Sequence, residues 1–461
     1  MKLVKSLLLG SAAGIAAVAG AQAADLPSRK AAPVEYVRVC SAYGAGFFYI
    51  PGTDTCLRVG GRVRAEYAVG TRFGDYQDAY GTRARGRLNI DARTATAYGT
   101  LRAFIRYELT NNSGLYNSGT ITPCNVRAVI PGQFRNGSST GSSPNLDLAF
   151  IQFGPITAGR AQSFFDFYAS DYNFASIRTS DTRLNLLAYT ATFGSGFSAT
   201  ISAEDRVSGT GNRELPGTLF NPLTGTFATG AVVQGQDFPD LVASLRVDQG
   251  WGSAQLSGAL GQRKYAAGLG TVVAPAVDGD EMVWAIQAGV KINLPMLAAG
   301  DALFLQAAYA DGALSYLGWY PGSFGLGRLG SLTLADATLN TVTGSVDNST
   351  GFSLVAALRH FWTPTLRSEI SASYSELKLG YLNGGTIGAL PRSLDPKEFL
   401  VAANLIWSPV SGLDIGVEVL YSHLDVRTPV GVVNNFGGRS TILGISNEDS
   451  IAGRLRIQRD F

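Results

Sequence analysis

Arginine recurs on one parity of three separate stretches of the chain. Arg58, Arg62 and Arg64 alternate with Leu57, Val59 and Val63; Arg83, Arg85, Arg87 and Arg93 with Ala84, Leu88, Ile90 and Ala92; and Arg102 and Arg106 with Leu101, Ala103, Ile105 and Tyr107. A guanidinium keeps its charge at any physiological pH, so a bank of them sets a field rather than making or breaking bonds. A second charged set lies in the aromatic stretch from Ser163 to Asp181, where Asp166, Asp171 and Asp181 stand among Phe165, Phe167, Tyr168, Tyr172 and Phe174. Bond-making chemistry lacks its parts. His360 and His423 have no nucleophile beside them, and there is no Cys-x-x-Cys pair, so neither catalysis, nor a metal, nor a cofactor is expected.

These side chains need strands to hold them. Period-two alternation marks strands near 56–67, 83–95, 100–109, 146–153, 156–164, 183–193, 196–206, 238–248, 251–262, 281–293, 300–310, 350–361, 366–378, 398–408, 413–424 and 449–461, which makes sixteen. The last shows the pattern well: Ile451, Gly453, Leu455 and Ile457 on one parity, Arg454, Arg456, Gln458 and Asp460 on the other, then a terminal Phe461. Tight connections at 194–195, 249–250 and 409–412 alternate with long polar ones at 110–145, 207–237, 311–349 and 425–448. That asymmetry belongs to an all-β, sixteen-stranded antiparallel transmembrane barrel with short periplasmic turns and long external loops. An even count puts both termini on the periplasmic side.

The remaining features agree with export to a membrane. Met1 to Ala23 has a basic start, a short apolar core and an Ala21-Gln22-Ala23 site, and is expected to be a cleaved signal peptide. The chain has 37 basic and 35 acidic side chains, and loss of Lys2 and Lys5 leaves the mature protein formally neutral, which argues against nucleic acid as a partner. No later apolar run reaches the roughly 20 residues of a membrane helix. Residues 24–55 form an aromatic, Gly/Pro-rich packed segment ahead of one barrel domain, 56–461. Cys40 and Cys56 bracket a small ring expected to close as a disulfide, with Cys124 left over.

Sixteen strands enclose a lumen too wide for side chains to fill, so water is expected there. Segment 163–182 is the candidate to narrow it, with Asp166 and Asp171 facing Arg62, Arg64, Arg85, Arg87, Arg102 and Arg106 across the gap. The plainer reading pairs these arginines with Glu66, Asp91 and Glu108 on neighbouring strands. Two other readings compete: a substrate-specific uptake channel guided by Phe165, Tyr168 and Phe174, and, more remotely, a secreted β-rich ligand-binding or adhesin protein.

Both ends of the chain carry a resemblance. Val34 to Gly60 (VEYVRVCSAYGAGFFYIPGTDTCLRVG), the signal stretch KSLLLGSAA from Lys5 and the ending Arg456-Ile-Gln-Arg-Asp-Phe461 resemble the alphaproteobacterial porins of rhizobia and brucellae. The resemblance implies a homotrimeric outer-membrane barrel that passes small hydrophilic solutes and ions by diffusion. It also implies a third external loop folded inward, here about 164–182, and a terminal aromatic, Phe461, recognised by the barrel-assembly machinery.

Overall fold

Alternating apolar and charged residues can satisfy every backbone amide in lipid only if the sheet closes on itself. The computed structural model shows that closure. It describes residues 38–71, 78–118, 140–207, 213–215, 217–221, 226–233, 235–266, 278–320, 334–340, 342–380, 395–434 and 441–461. Sixteen antiparallel strands form the wall. They are β1 (Cys56–Gly70), β2 (Tyr80–Thr96), β3 (Gly99–Ser113), β4 (Thr140–Phe153), β5 (Ile156–Gln162), β6 (Arg183–Gly194), β7 (Phe197–Glu204) and β8 (Asp240–Gln249). There follow β9 (Gly252–Ala266), β10 (Asp278–Asn293), β11 (Ala302–Asp311), β12 (Thr350–Thr363), β13 (Leu366–Lys378), β14 (Lys397–Val410), β15 (Leu413–Asn434) and β16 (Thr441–Asp460). Each pairs with its sequence neighbour, and β1 pairs with β16 from Arg62↔Asp460 to Gly70↔Ala452, so the sheet has no free edge.

The wall is greasy outside. Val63, Tyr67, Leu88, Ile105, Leu187, Ile201, Leu256, Ile286, Leu354, Ile370, Val417 and Ile457 are all exposed. An apolar belt this large around a protein marks a surface that meets lipid. The opposite parity is enclosed: Arg454, Arg456 and Gln458 of β16 are each under 9% exposed.

Several strands run well past the range that alternation marks, while the strands Ile156–Gln162 and Phe197–Glu204 stop two residues short of it. β15 and β16 stay paired as far as Asn434↔Thr441, so only 435–440 joins them, where a loop over 425–448 was expected. Likewise β3 runs to Ser113 and β4 begins at Thr140. Beyond the lipid both faces of a strand meet water, so alternation disappears while backbone pairing continues. The 207–237 stretch also holds two short strands, Gly217–Asn221 and Thr226–Val233. They join the hairpin Ala337–Asn340/Val346–Asn348 through Thr338↔Thr218.

Tight turns at 97–98, 154–155, 195–196, 250–251, 364–365 and 411–412 alternate with long connections, and 163–182 is the third long one. The chain divides into two compact units, Met1–Leu57 and Arg58–Phe461. Within the first, Cys40 and Cys56 are disulfide-bonded and buried with Phe47, and the Arg38 guanidinium lies over the Tyr49 ring at 4.6 Å.

The lumen is less empty than its strand number suggests. On β9 to β15 the inner parity carries many small or apolar residues (Ala259, Ala285, Ala302, Val355, Ala357, Leu400, Ala402 and Leu420), all buried, among polar ones such as Gln255, Gln287, Gln306 and Glu418. The small and apolar residues pack against the 163–182 segment and the long connections, forming two hydrophobic clusters. Runs of arginine concentrate on β1 to β3, and isolated charges such as Arg359, Arg367 and Asp414 reach the open lumen from the opposite wall.

Candidate pore constriction

The 163–182 segment crosses the barrel interior and is bonded to the wall at many points. Gln255 and Gln287 donate side-chain amides to the carbonyls of Asp166 and Phe165, at 3.1 and 2.8 Å. Gln306 accepts from the Tyr168 amide at 2.9 Å, and Asn404 donates to the Tyr172 carbonyl at 2.8 Å. Glu418 accepts the amides of Phe174 and Ala175 at 2.5 and 2.8 Å. Aromatic rings dock on glycine notches: a Cβ built on Gly289 would lie 2.3 Å from the Phe167 ring, and one on Gly416 2.8 Å from the Phe174 ring. At the tip Ser170 takes a left-handed φ of 59°, a conformation that costs a non-glycine residue about 1 kcal/mol.

Arg178 is the deepest anchor. It is 1% exposed, ion-paired with the fully buried Glu398, and stacked 3.5 Å over Trp319. Its amide donates to Ser373 Oγ at 3.0 Å. Asp166, by contrast, does not face the arginine wall. It is buried at the foot of the segment, where it accepts from Ser180, the Thr182 amide at 2.7 Å and Arg213 at 3.2 Å. Burial also pushes the Asp181 carboxyl above its ordinary range, with Arg183 opposing.

Opposite the tip lies a cavity of about 460 Å³. Arg62, Arg64, Arg85 and Arg87 line it together with Asp171 and the 169–176 backbone. Arg102 and Arg106 do not: Arg102 holds Asp91 with two 3.0 Å bonds, and Arg106 reaches Asn89 at 3.1 Å and Asp147 at 3.4 Å. The arginines are laddered with acids of adjacent strands. Arg87 donates to Glu108 at 2.7 Å, Arg456 to Glu66 at 2.8 Å, and Arg62 to Asp460 at 2.5 Å. Arg64 instead makes two bonds, 2.9 and 2.7 Å, to the neutral Gln458. The facing and the pairing arrangements therefore coexist.

Periodicity overlooked several lining groups. Arg183, Arg359, Arg367, Glu369 and Asp414 come from β6, β12, β13 and β15, whose inner faces carry isolated charges rather than runs. Asp147 was hidden by a β-bulge. The β3–β4 register slips between Arg106 and Tyr107, so Leu146 is 46% exposed while Leu148, on the same parity, is 9% exposed. The bulge points Asp147 inward, 3.2 Å from Arg183.

A closed antiparallel barrel with an apolar exterior, a charged lumen and a loop folded across it is a transmembrane β-barrel of the outer-membrane type. The family model described as "Porin subfamily" matches residues 25–447, and the chain belongs to that porin family. Porin Omp2b of Brucella suis biovar 1 (strain 1330) is 37% identical over 257 residues, which is 54% of this chain and 64% of that protein. Porin Omp2b of Brucella melitensis biotype 1 gives the same figures, so the chain matches under two thirds of the length of these relatives. Among solved structures, the outer membrane channel DcaP of Acinetobacter baumannii shares the fold at a TM-score of 0.58 and 17% identity, covering 90% of this chain and 99% of that one.

Proposed function

We propose that the protein is a porin, a water-filled channel through which small hydrophilic solutes and ions diffuse across the outer membrane. The cavity opposite the segment tip carries this reading. Its polar lining lets a hydrated solute keep its water, whereas an apolar solute gains nothing there. Eight arginines and six carboxylates line it, which favours a weak preference for anions. Arg62, Arg64, Arg85 and Arg87 supply the basic side of the constriction, and Asp171 the carboxylate on the segment.

The remaining parts of the reading come from the family. The mature protein starts after Ala23, assembles as a homotrimer, and keeps its tight turns in the periplasm. Phe461 is the assembly signal; its backbone pairs with Gly61 in both directions, at 2.8 and 3.0 Å, while the residue as a whole is 67% exposed. Planar-bilayer recording of the purified protein under a salt gradient tests the proposal. Large steps in groups of three with a reversal potential on the anion side are expected. Cation preference would refute the charge assignment, and absence of steps from folded protein would refute the channel.

A further inference from the structure

The tip of the 163–182 segment divides the open lumen. Asp171 lines the cavity beside the arginine wall and also a second cavity, of about 470 Å³, against the inner face of β8 to β11. Phe167, Arg246, Asp248, Lys291 and Phe304 complete the surroundings that matter here. Arg246 and Asp248 neutralise each other through two hydrogen bonds, 2.6 and 2.8 Å. Asp171 and Lys291 are different. Asp171 is exposed, Lys291 is half-buried, and among the described residues neither side chain makes a hydrogen bond or a close ion pair; the charges acting most strongly on Asp171 are those of Arg359 and then Lys291. The Lys291 ammonium stands 5.4 Å from the Phe304 ring centre, and Phe304 meets Phe167 edge to face at 5.8 Å.

A cavity with one unpaired carboxylate, one unpaired ammonium and an aromatic floor between them selects by charge pattern. A net anion gains from Lys291 and is repelled by Asp171, and a net cation meets the reverse. A solute bearing both charges satisfies both groups at once. The volume falls in the range of small-molecule sites. We propose that this side cavity is a subsite for zwitterionic solutes, namely free α-amino acids and short peptides. The carboxylate is taken by Lys291 and the ammonium by Asp171, and Phe167 and Phe304, 8% and 5% exposed, contribute only ring edges beneath them. The proposal rests on the porin reading and adds a place where a solute pauses.

The test is single-channel recording with the intact protein and three probes that share one aromatic side chain: L-phenylalanine, N-acetyl-L-phenylalanine, which lacks the ammonium, and L-phenylalaninamide, which lacks the carboxylate. L-Phenylalanine is expected to block the current about five-fold more strongly than either analogue, the limit for a partly screened ion pair. Asp171→Asn should make the zwitterion and the N-acetyl compound equivalent, and Lys291→Gln should make the zwitterion and the amide equivalent. This crossed pattern is one that general loss of structure cannot produce. Equal block by N-acetyl-L-phenylalanine in the unaltered protein would reveal a plain anion site and overturn the proposal. Discrimination that survives both substitutions would also overturn it. Salt currents recorded before any probe is added report separately on the porin reading.

Discussion

Replacing Arg178 by Met keeps the volume of the side chain and removes its charge. Glu398 is then left fully buried without its ion-pair partner. Removing one member of a buried pair costs about 3–5 kcal/mol, because the remaining charge stays desolvated. The stacking on Trp319 at 3.5 Å and the Nη1 hydrogen bond to the Gly318 carbonyl at 3.1 Å are lost with it. The cost falls on the docked segment rather than on the wall, since Arg178 belongs to the segment while Glu398 belongs to β14. At about 1.4 kcal/mol per tenfold, the undocked population should rise at least about a hundred-fold. R178M channels should therefore flicker to larger conductance levels that the unaltered protein rarely visits. The double variant R178M/E398Q removes the stranded charge, and the flicker should largely disappear. Unchanged traces in R178M would refute the idea that this clamp holds the constriction. Identical flicker in the single and double variants would show that packing, not the buried charge, is responsible.

Three further outcomes follow from the same geometry. Gly289→Val places side-chain atoms where the Phe167 ring lies, 2.3 Å from the Cβ position, and overpacking of this kind costs about 1–3 kcal/mol; conductance should fall as the segment shifts toward the arginine wall, and F167A in the same chain should restore it. The double substitution R62Q/R64Q removes the surplus of two arginines in the cavity lining, so the reversal potential under a salt gradient should move to the value for unselective diffusion. Asp336, in the connection between β11 and β12, accepts the amides of Leu215 and Leu314, and burial pushes its carboxyl from 3.8 up to about 7 against the pull of Arg263. The folded state binds this proton more tightly than the unfolded one, so the stabilisation is complete below 3.8 and is lost as pH rises to about 7, by up to about 4 kcal/mol; exchange protection of the two amides should be greater at pH 4.5 than at 7.5, and D336N should flatten the difference.

What could be read from the chain depended on whether the information was local. The arginine parity of β1, β2 and β3 is a property of a dozen consecutive residues, so both the strands and the side their guanidiniums occupy were legible. Asp166 was misplaced because its partner, Arg213, lies 47 residues away in a stretch without regular pattern. Asp147 was missed because a single inserted residue reverses parity. The filled half of the lumen left a signal that parity counting does not weigh. Ser353, Ala357, Ser371, Ser373 and Ser375 on β12 and β13 are all buried, and small residues on an inner face indicate a wall that something packs against. A water-lined wall has no reason to be small. It can carry long arginines, as β1 to β3 do, because nothing competes for the space. Residue size along the inner parity therefore helps to distinguish the open side of such a barrel from the occupied side, and here the open cavity lies between the segment tip and the arginines of β1 and β2. On the occupied wall the larger side chains that face the segment, such as Gln255, Gln306, Glu398 and Glu418, are the ones that bond to it, and Lys291 is set apart by lying over the Phe304 ring with no close ion-pair partner.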